Sequence, residues 1–410
     1  MVNLGGPPPP LLRFRAKKSG PQSPKLGYNE KVHAAGIAVA GGAMQKKADG
    51  QFYAPKGKSS PVCKPGEFKI GVIGLDHGHI YGMCNGLTEA GATVEAVYDP
   101  DPAKVGAFRK QYPEARIAGT EEEILEDPSL RLVAAAPVPW LRGALGIRVM
   151  SHGKDYFCDK PPFTDKADIA LARAKVKETG RKYGVYYSER LHVEASVYAE
   201  RLIADGAIGK VIQVIGTGPH RISLSQRPAW FFDKKKYGGI IVDLGCHQIE
   251  QILFFSGAKD ARIAASRVAT YKYKEYPDFE DFGDVSLVMD NGASGYFAVH
   301  WFTPDGLGAW GDGRTFIQGT DGYLELRKYI DVAADPEGDH VILVNKQGEY
   351  HFKAAGSCGF PFFGRFVRDC LDRGATAMDQ ELVFRAIELA IEAEESAARG
   401  YAARGYAALS

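Results

Sequence analysis

From residue 68 onward the apolar positions come in short runs, over 68–75, 92–98, 130–136 and 155–158, each holding one charged residue (Lys69, Glu95, Arg131, Asp155) and closed by a turn residue, an acid or a proline. Runs of this length without alternation suit strands buried on both faces of a parallel sheet. Between them, 80–90, 102–111, 120–125 and 141–152 read as helices, and a helix over 165–180 precedes a strand over 182–188. Such alternation predicts a doubly wound α/β sheet whose strand ends at Gly74, Asp99, Pro137 and Asp159 face one crevice. After a helix over 193–205 the pattern changes. Segments 211–217, 261–273, 284–289, 294–302, 315–318, 323–327 and 341–344 read as strands separated by turn residues, which predicts an open, largely antiparallel sheet in an α+β domain. Helices over 243–255, 362–373 and 380–399 complete it, the last packing back on the first domain.

The first strand, turn, helix and second strand carry candidate chemistry. A strand ending at Gly74, a helix from residue 80 and an acid, Asp99, 25 residues past the turn have the layout of a Rossmann dinucleotide-binding unit. Asp99 would hold the ribose 2′-hydroxyl and repel a 2′-phosphate, which favours NAD over NADP. The turn Gly74-Leu75-Asp76-His77-Gly78-His79 keeps only the first glycine of the G-x-G-x-x-G pattern in register. Its His-x-His is also the spacing of a metal site, so a metal-dependent hydrolase using His77 and His79 stands as a rival. A barrel hydrolase would need further strand-end ligands downstream, and none follow, so no metal is expected. Pro137 and Trp140, after the next strand, are further candidate cofactor contacts.

Residues 1–66 differ from the rest. Gly5-Gly6 and Pro7 to Pro10 read as an extended start, and eleven Lys and Arg against two Asp and Glu give this arm a net charge of +9, leaving −8 on the remainder. A basic arm on an acidic body predicts subunit contacts, hence a homo-oligomer. The expected division is 1–66 arm, 67–188 dinucleotide domain and 189–410 substrate-binding and oligomerisation domain. A total charge of +1 gives no argument for nucleic acid or membrane partners, and no apolar run approaches bilayer-spanning length. Residues 32–44 form only a weak apolar stretch, late in the arm, and six scattered cysteines without a C-x-x-C pair suit a reducing cytoplasm.

Two constellations sharpen the picture. Asp159-Lys160-Pro161-Pro162 ends the strand over 155–158, because neither proline can donate to a sheet ladder. Lys160 is thereby pinned at the carboxyl end of a strand, where open α/β sheets bind ligands. About 80 residues later comes Gly238-Gly239-Ile240-Ile241-Val242-Asp243-Leu244-Gly245-Cys246-His247. If 243–255 is regular helix, Asp243 and His247 stand at i and i+4 on one face, and the carboxylate fixes the imidazole and raises its basicity.

With these residues in place the chain resembles the glucose–fructose oxidoreductase / inositol dehydrogenase (Gfo/Idh/MocA) family. Its Glu-Lys-Pro motif appears here as Asp159-Lys160-Pro161, and its Gly-Gly…Asp-x-x-x-His motif as Gly238-Gly239…Asp243…His247. The resemblance runs from about residue 69 to the C-terminus and implies a Rossmann domain followed by a domain with an open sheet. It implies oxidation of a secondary hydroxyl on a sugar, glycoside or cyclitol, with hydride passing to NAD; our leaning is a glucoside oxidised at C3. His247 would take the hydroxyl proton, Asp243 would orient it and Lys160 would stabilise the alkoxide. Asp159 and Lys160 would also border the cofactor. Arg227, Trp230 and His300 are the expected carbohydrate contacts beyond Lys160, Asp243 and His247. An NAD-dependent glycosidase acting by oxidation and elimination, and a non-catalytic NAD-binding sensor, are the alternatives.

Overall fold

The computed structural model describes residues 57–403, together with Pro55; the expected basic arm lies almost wholly outside the described residues. The described residues all fall within one compact unit. Of the arm, Lys58 and Ser59 meet Glu89 through Lys58 Nζ–Oε1 at 2.7 Å and Ser59 N–Oε2 at 3.0 Å.

The first half builds β1 (Lys69–Leu75), α1 (His79–Glu89), β2 (Thr93–Tyr98), α2 (Pro102–Gln111), β3 (Arg116–Ile117), α3 (Glu122–Leu125), β4 (Leu132–Ala136), α4 (Pro139–Ser151), β5 (Asp155–Asp159), α5 (Lys166–Thr179) and β6 (Tyr183–Tyr186). The strands pair in the order β3-β2-β1-β4-β5-β6, with every pair parallel. β4 and β5 are buried along their whole length, as central strands of a parallel sheet are, including the acids Asp155 and Asp159 at the ends of β5. Local signals set the helix starts: Asp101 caps α2 by accepting from Ala103 N with Pro102 at the first helical position, and Asp165 caps α5 through Ala167 N. Strand order reverses between β1 and β4, the topological switch point where such sheets bind ligands.

The second half adds α6 (Ser188–Leu191), α7 (Glu194–Ala204), β7 (Val211–Pro219), α8 (Lys234–Tyr237), α9 (Cys246–Ser256), β8 (Ala261–Ala269), β9 (Phe282–Met289), β10 (Ser294–His300), β11 (Arg314–Gly319), β12 (Gly322–Arg327), β13 (His340–Asn345), β14 (Gly348–Lys353), α10 (Pro361–Asp372) and α11 (Gln380–Ala403). Its eight strands run β14-β13-β12-β11-β7-β10-β9-β8, antiparallel except for the β7–β10 pair. α9 packs on β7, and α11 packs on α9 and β8. α11 also reaches the first sheet, where the Gln380 amide exchanges two 2.9 Å hydrogen bonds with the Tyr183 backbone.

One expectation is corrected. The helix expected over 243–255 is not uniform: residues Ile241–Gly245 form a π-helical turn, and the α-helix starts at Cys246. The π-turn inserts extra backbone between Asp243 and His247, so the two do not share a regular i, i+4 face.

Candidate active site

The β1–α1 turn is shaped by Gly74, whose φ of +80° a side chain would resist. A Cβ there would stand 2.7 Å from Pro137 Cβ, so the two strand ends close only around a glycine. Asp76, in place of the second fingerprint glycine, turns aside: Oδ2 accepts from Val138 N at 3.1 Å and Oδ1 from Lys104 Nζ at 2.6 Å. Gly78 leads into α1 with no side-chain cap. Within the turn His79 N donates to His77 Nδ1 at 3.3 Å, and Ile80 N and Tyr81 N donate to the His77 and Gly78 carbonyls, both at 3.2 Å, so what α1 offers an anion at the switch point is the positive end of its dipole. This turn and helix start fit a dinucleotide's phosphates.

Asp99 differs from its expected role. Its Oδ2 accepts from Leu75 N at 2.7 Å and its Oδ1 from Asp101 N at 2.8 Å, and its side chain is 1 % exposed. The carboxylate ties the ends of β1 and β2 together and is not open for a ribose hydroxyl. Trp140, in the first turn of α4, is half exposed and stands outside the cleft described below, which Pro139 and Arg142 border instead.

Asp159 closes β5 as a fully buried carboxylate. Oδ1 accepts from Lys160 N and from His79 Nδ1, both at 2.7 Å. Oδ2 lies 3.1 Å from His77 Nδ1 and 3.0 Å from Arg142 Nη2. Burial works to raise this acid, but His79, Arg142 and His77 outweigh it and hold it well below the usual carboxylate range. His77 itself is pushed down to about 3, chiefly by burial. The donor atoms of His77 and His79, the pair behind the metal rival, and of Asp159 lie within 4.8 Å of one another. Here the Arg142 guanidinium already supplies the counter-charge. Arg142 also donates to the carbonyls of Pro137, Lys160 and Pro161, which fixes the backbone around the cis Lys160–Pro161 bond.

Lys160 Nζ reaches across to the π-turn. It donates to Asp243 Oδ1 at 2.8 Å and to the Asp243 carbonyl at 2.9 Å. Burial alone would lower the lysine, but Asp243 outweighs it and the ammonium is raised above 10.5. Asp243 is correspondingly lowered: burial opposes ionisation and Lys160 prevails. The turn that presents Asp243 depends on the glycine pair before it. Gly238 and Gly239 have φ of +94° and +98°, and a Cβ on Gly239 would stand 2.4 Å from Glu394 Cδ. That close approach lets Glu394 and Glu280 accept from Ile241 N (3.1 Å) and Ile240 N (2.9 Å), capping the turn. Lys234 pairs with both acids.

His247 is 1 % exposed, and its Nδ1 has no hydrogen-bond partner among the described residues. The expected Asp243–His247 pair does not form, because Asp243 is committed to Lys160. Far from being made more basic, the imidazole is lowered well below 6.5, first by burial, with Glu189 opposing. It is neutral at pH 7.

His77, His79, Arg142, Lys160, Asp243 and His247 border one cleft between the two sheets, together with Arg227 and Trp230. The Arg227 guanidinium lies over Phe231 at 4.5 Å and Trp301 at 5.0 Å, so it stiffens an aromatic wall. His300 is corrected: it does not border the cleft but accepts from Phe302 N at 3.2 Å and stacks on the Phe302 ring. Two cleft residues were missed as site residues. His220 follows β7 in Pro219-His220-Arg221, a polar run of a kind that suits a sugar, though the histidine itself was not singled out. Glu189 follows β6 in Ser188-Glu189-Arg190, where an acid next to a parallel strand end was the available signal.

Fold and site together define an oxidoreductase built on a dinucleotide-binding sheet. Residues 68–187 match the oxidoreductase family with an NAD-binding Rossmann fold, and residues 197–325 match the GFO/IDH/MocA C-terminal domain. The chain belongs to the Gfo/Idh/MocA oxidoreductase family. It is 27 % identical over 295 residues to scyllo-inositol 2-dehydrogenase (NAD(+)) of Bacillus subtilis strain 168, covering 70 % of this chain and 82 % of that one. A crystal structure from Erwinia carotovora atroseptica SCRI1043, assigned to the oxidoreductases, is 45 % identical with a TM-score of 0.79, covering 81 % of this chain and 99 % of that one. Levoglucosan dehydrogenase in complex with NADH and levoglucosan shares the fold at 17 % identity and a TM-score of 0.68, covering 81 % and 97 %.

Proposed function

We propose that this chain is a nicotinamide-dependent dehydrogenase that oxidises a secondary ring hydroxyl of a sugar, glycoside or cyclitol, with a glucoside oxidised at C3 as the narrower reading. The observation that carries it is the convergence of Lys160, Asp243 and His247 on a cleft that also contains His77 and His79 of the β1–α1 turn. A nicotinamide dinucleotide held by Gly74, Asp76, His77, Gly78, His79 and the start of α1 supplies the hydride acceptor. We read it as NAD, because Asp76 and Asp99 set two carboxylates against the single amine of Lys104, at 2.6 and 4.0 Å. His247, neutral at pH 7, takes the hydroxyl proton. Lys160, kept charged and aimed by Asp243, donates to the oxygen as alkoxide charge develops. Trp230 and the Arg227-stiffened wall give the sugar ring an apolar face.

The test is a panel of scyllo-inositol, D-xylose, levoglucosan and methyl β-D-glucoside with NAD or NADP, read at the reduced-nicotinamide band. Reduction of NAD by at least one ring polyol, falling by roughly 10²–10³-fold in Lys160→Ala, is expected. A wild type inert on the whole panel, or full turnover in Lys160→Ala, refutes the reading. Aglycone release without net reduction marks oxidation–elimination instead.

We also infer that the enzyme works as a homo-oligomer in the cytoplasm. Ile215, Tyr296 and Phe316 sit in register on the outward face of the second sheet, with Val288 alongside. An apolar face of this kind suits a second copy of the chain. All six cysteines are free thiols.

A further inference from the structure

The proton path above leaves Glu189 unused, yet it is one of the most deeply placed charges in the cleft wall, its side chain 2 % exposed. Its two oxygens have different surroundings. Oε2 accepts from Gln248 Nε2 at 2.7 Å and from Lys328 Nζ at 3.1 Å. Lys328 is fully buried and also donates to Gln251 Oε1 at 2.6 Å, so the ion pair is fixed from behind. Oε1 has no hydrogen-bond partner among the described residues. His220 Nε2 faces it at 3.9 Å, too far for a hydrogen bond.

The tautomer of His220 makes this gap informative. Its Nδ1 lies 3.1 Å from the Gly218 carbonyl, which can only accept, so Nδ1 carries the proton. Burial, the largest influence, lowers His220 to about 4, so the ring is neutral at pH 7 and Nε2 is a bare acceptor. Glu189 stays ionised at about 2: burial opposes this, and Lys328 and the nearby histidines outweigh it. Two buried acceptors therefore face each other with no donor between them. A carboxylate or phosphate on the ligand would add a third acceptor. Hydroxyl groups bring the missing donors.

We propose that Glu189 is a substrate-binding residue whose Oε1, with His220 Nε2 beside it, takes hydroxyl hydrogens from a second position on the ring being oxidised. The substrate is then a neutral polyol at that position, and a ring that lacks the hydroxyl or carries a carboxylate there is rejected. This rests on the dehydrogenase reading and deepens it.

Glu189→Gln keeps the shape and removes the charge. Wild type and variant are compared on the panel above, and on the monodeoxy derivatives of whichever ring the wild type oxidises best. NADH titration and thermal melting serve as controls for the fold and the cofactor site. The variant is expected to bind NADH normally and to lose roughly 10- to 100-fold in kcat/KM on the parent ring, the range of a hydrogen bond to a charged group. On one monodeoxy derivative, already poor for the wild type, the two proteins should be equal, since the interaction is then missing from both sides. An unchanged kcat/KM on the parent ring, or the same fall on every derivative, overturns the proposal and leaves the dehydrogenase reading standing. If Glu189→Gln melts early because Lys328 is left unpaired, Glu189→Gln/Lys328→Met removes both charges and is read in the same way. A wild type inert on the panel overturns the dehydrogenase reading and this proposal with it.

Discussion

Replacing Asp243 by Asn tests the electrostatics at the centre of the site. Lys160 is buried, and burial is the largest influence on it, acting to remove its charge; Asp243 is the largest opposing influence. Their contact at 2.8 Å is charge to charge, with a second hydrogen bond to the Asp243 carbonyl that Asn retains. Removing one partner of such a buried pair costs about 3–5 kcal/mol, because the other charge is left uncompensated. The sign of the pH dependence then reverses. In the wild type the folded lysine is raised above 10.5, so its contribution to stability is complete below the unfolded value and is lost only as pH rises through the folded one. In Asp243→Asn the folded lysine is depressed instead. The folded state then binds fewer protons than the unfolded one, and the variant recovers stability as pH rises towards 10.5. Urea denaturation at pH 7 and pH 9.5, with Lys160→Met as background, measures this. The deficit should shrink at the higher pH and nearly vanish when Lys160 is Met. An equal deficit at both pH values, or one that persists in the Lys160→Met background, would refute the argument.

Acid should destabilise the protein early. His77, His192 and His220 are lowered from 6.5 to about 3, 3 and 4, each chiefly by burial, so the unfolded state takes up protons that the folded state refuses as pH falls below 6.5. At pH 5 this amounts to about 2 kcal/mol for each of them; a urea midpoint unchanged between pH 7 and pH 5 would contradict it. Tyr296→Lys, on the outward face of the second sheet, should lower the mass measured by light scattering to that of one chain while leaving NADH binding intact. A wild type already monomeric rules out the interface.

The first sheet was legible because its strands are buried on both faces. β4 reads as an unbroken apolar run and β5 as three apolar residues between two acids, and the observed strands begin and end within about two residues of the expected ones. Two strands escaped notice. β3 has two residues, both exposed, and β14 (Gly348–Lys353) alternates between exposed and half-buried with no buried apolar position to mark it. His300 was misread for a periodic reason: Val299 faces the core, so the next residue must point to the opposite face. The π-turn has no sequence signature of its own. A regular helix would have joined Asp243 to His247, and only the tertiary contact with Lys160 shows that the carboxylate belongs elsewhere.

What the spacing of residues could not reveal is that the cleft is organised by three buried ion pairs whose partners come from distant parts of the chain. Asp159 ends β5 and meets Arg142 from α4; Asp243 sits in the π-turn and meets Lys160 after β5; Glu189 follows β6 and meets Lys328 after β12. In each pair the acid or the cation occupies a chain position where a regular element stops, so the backbone is free to turn and aim it. Pairing removes the net charge but not the directionality. Lys160 remains a donor aimed by Asp243, Glu189 Oε1 an acceptor on a carboxylate fixed by Lys328 and Gln248, and His247 a neutral base. A substrate that enters this arrangement gains by matching donors and acceptors, not by cancelling charge. For that reason the discrimination expected here is between ring hydroxyl patterns, and the Glu189→Gln comparison across monodeoxy rings reads it directly.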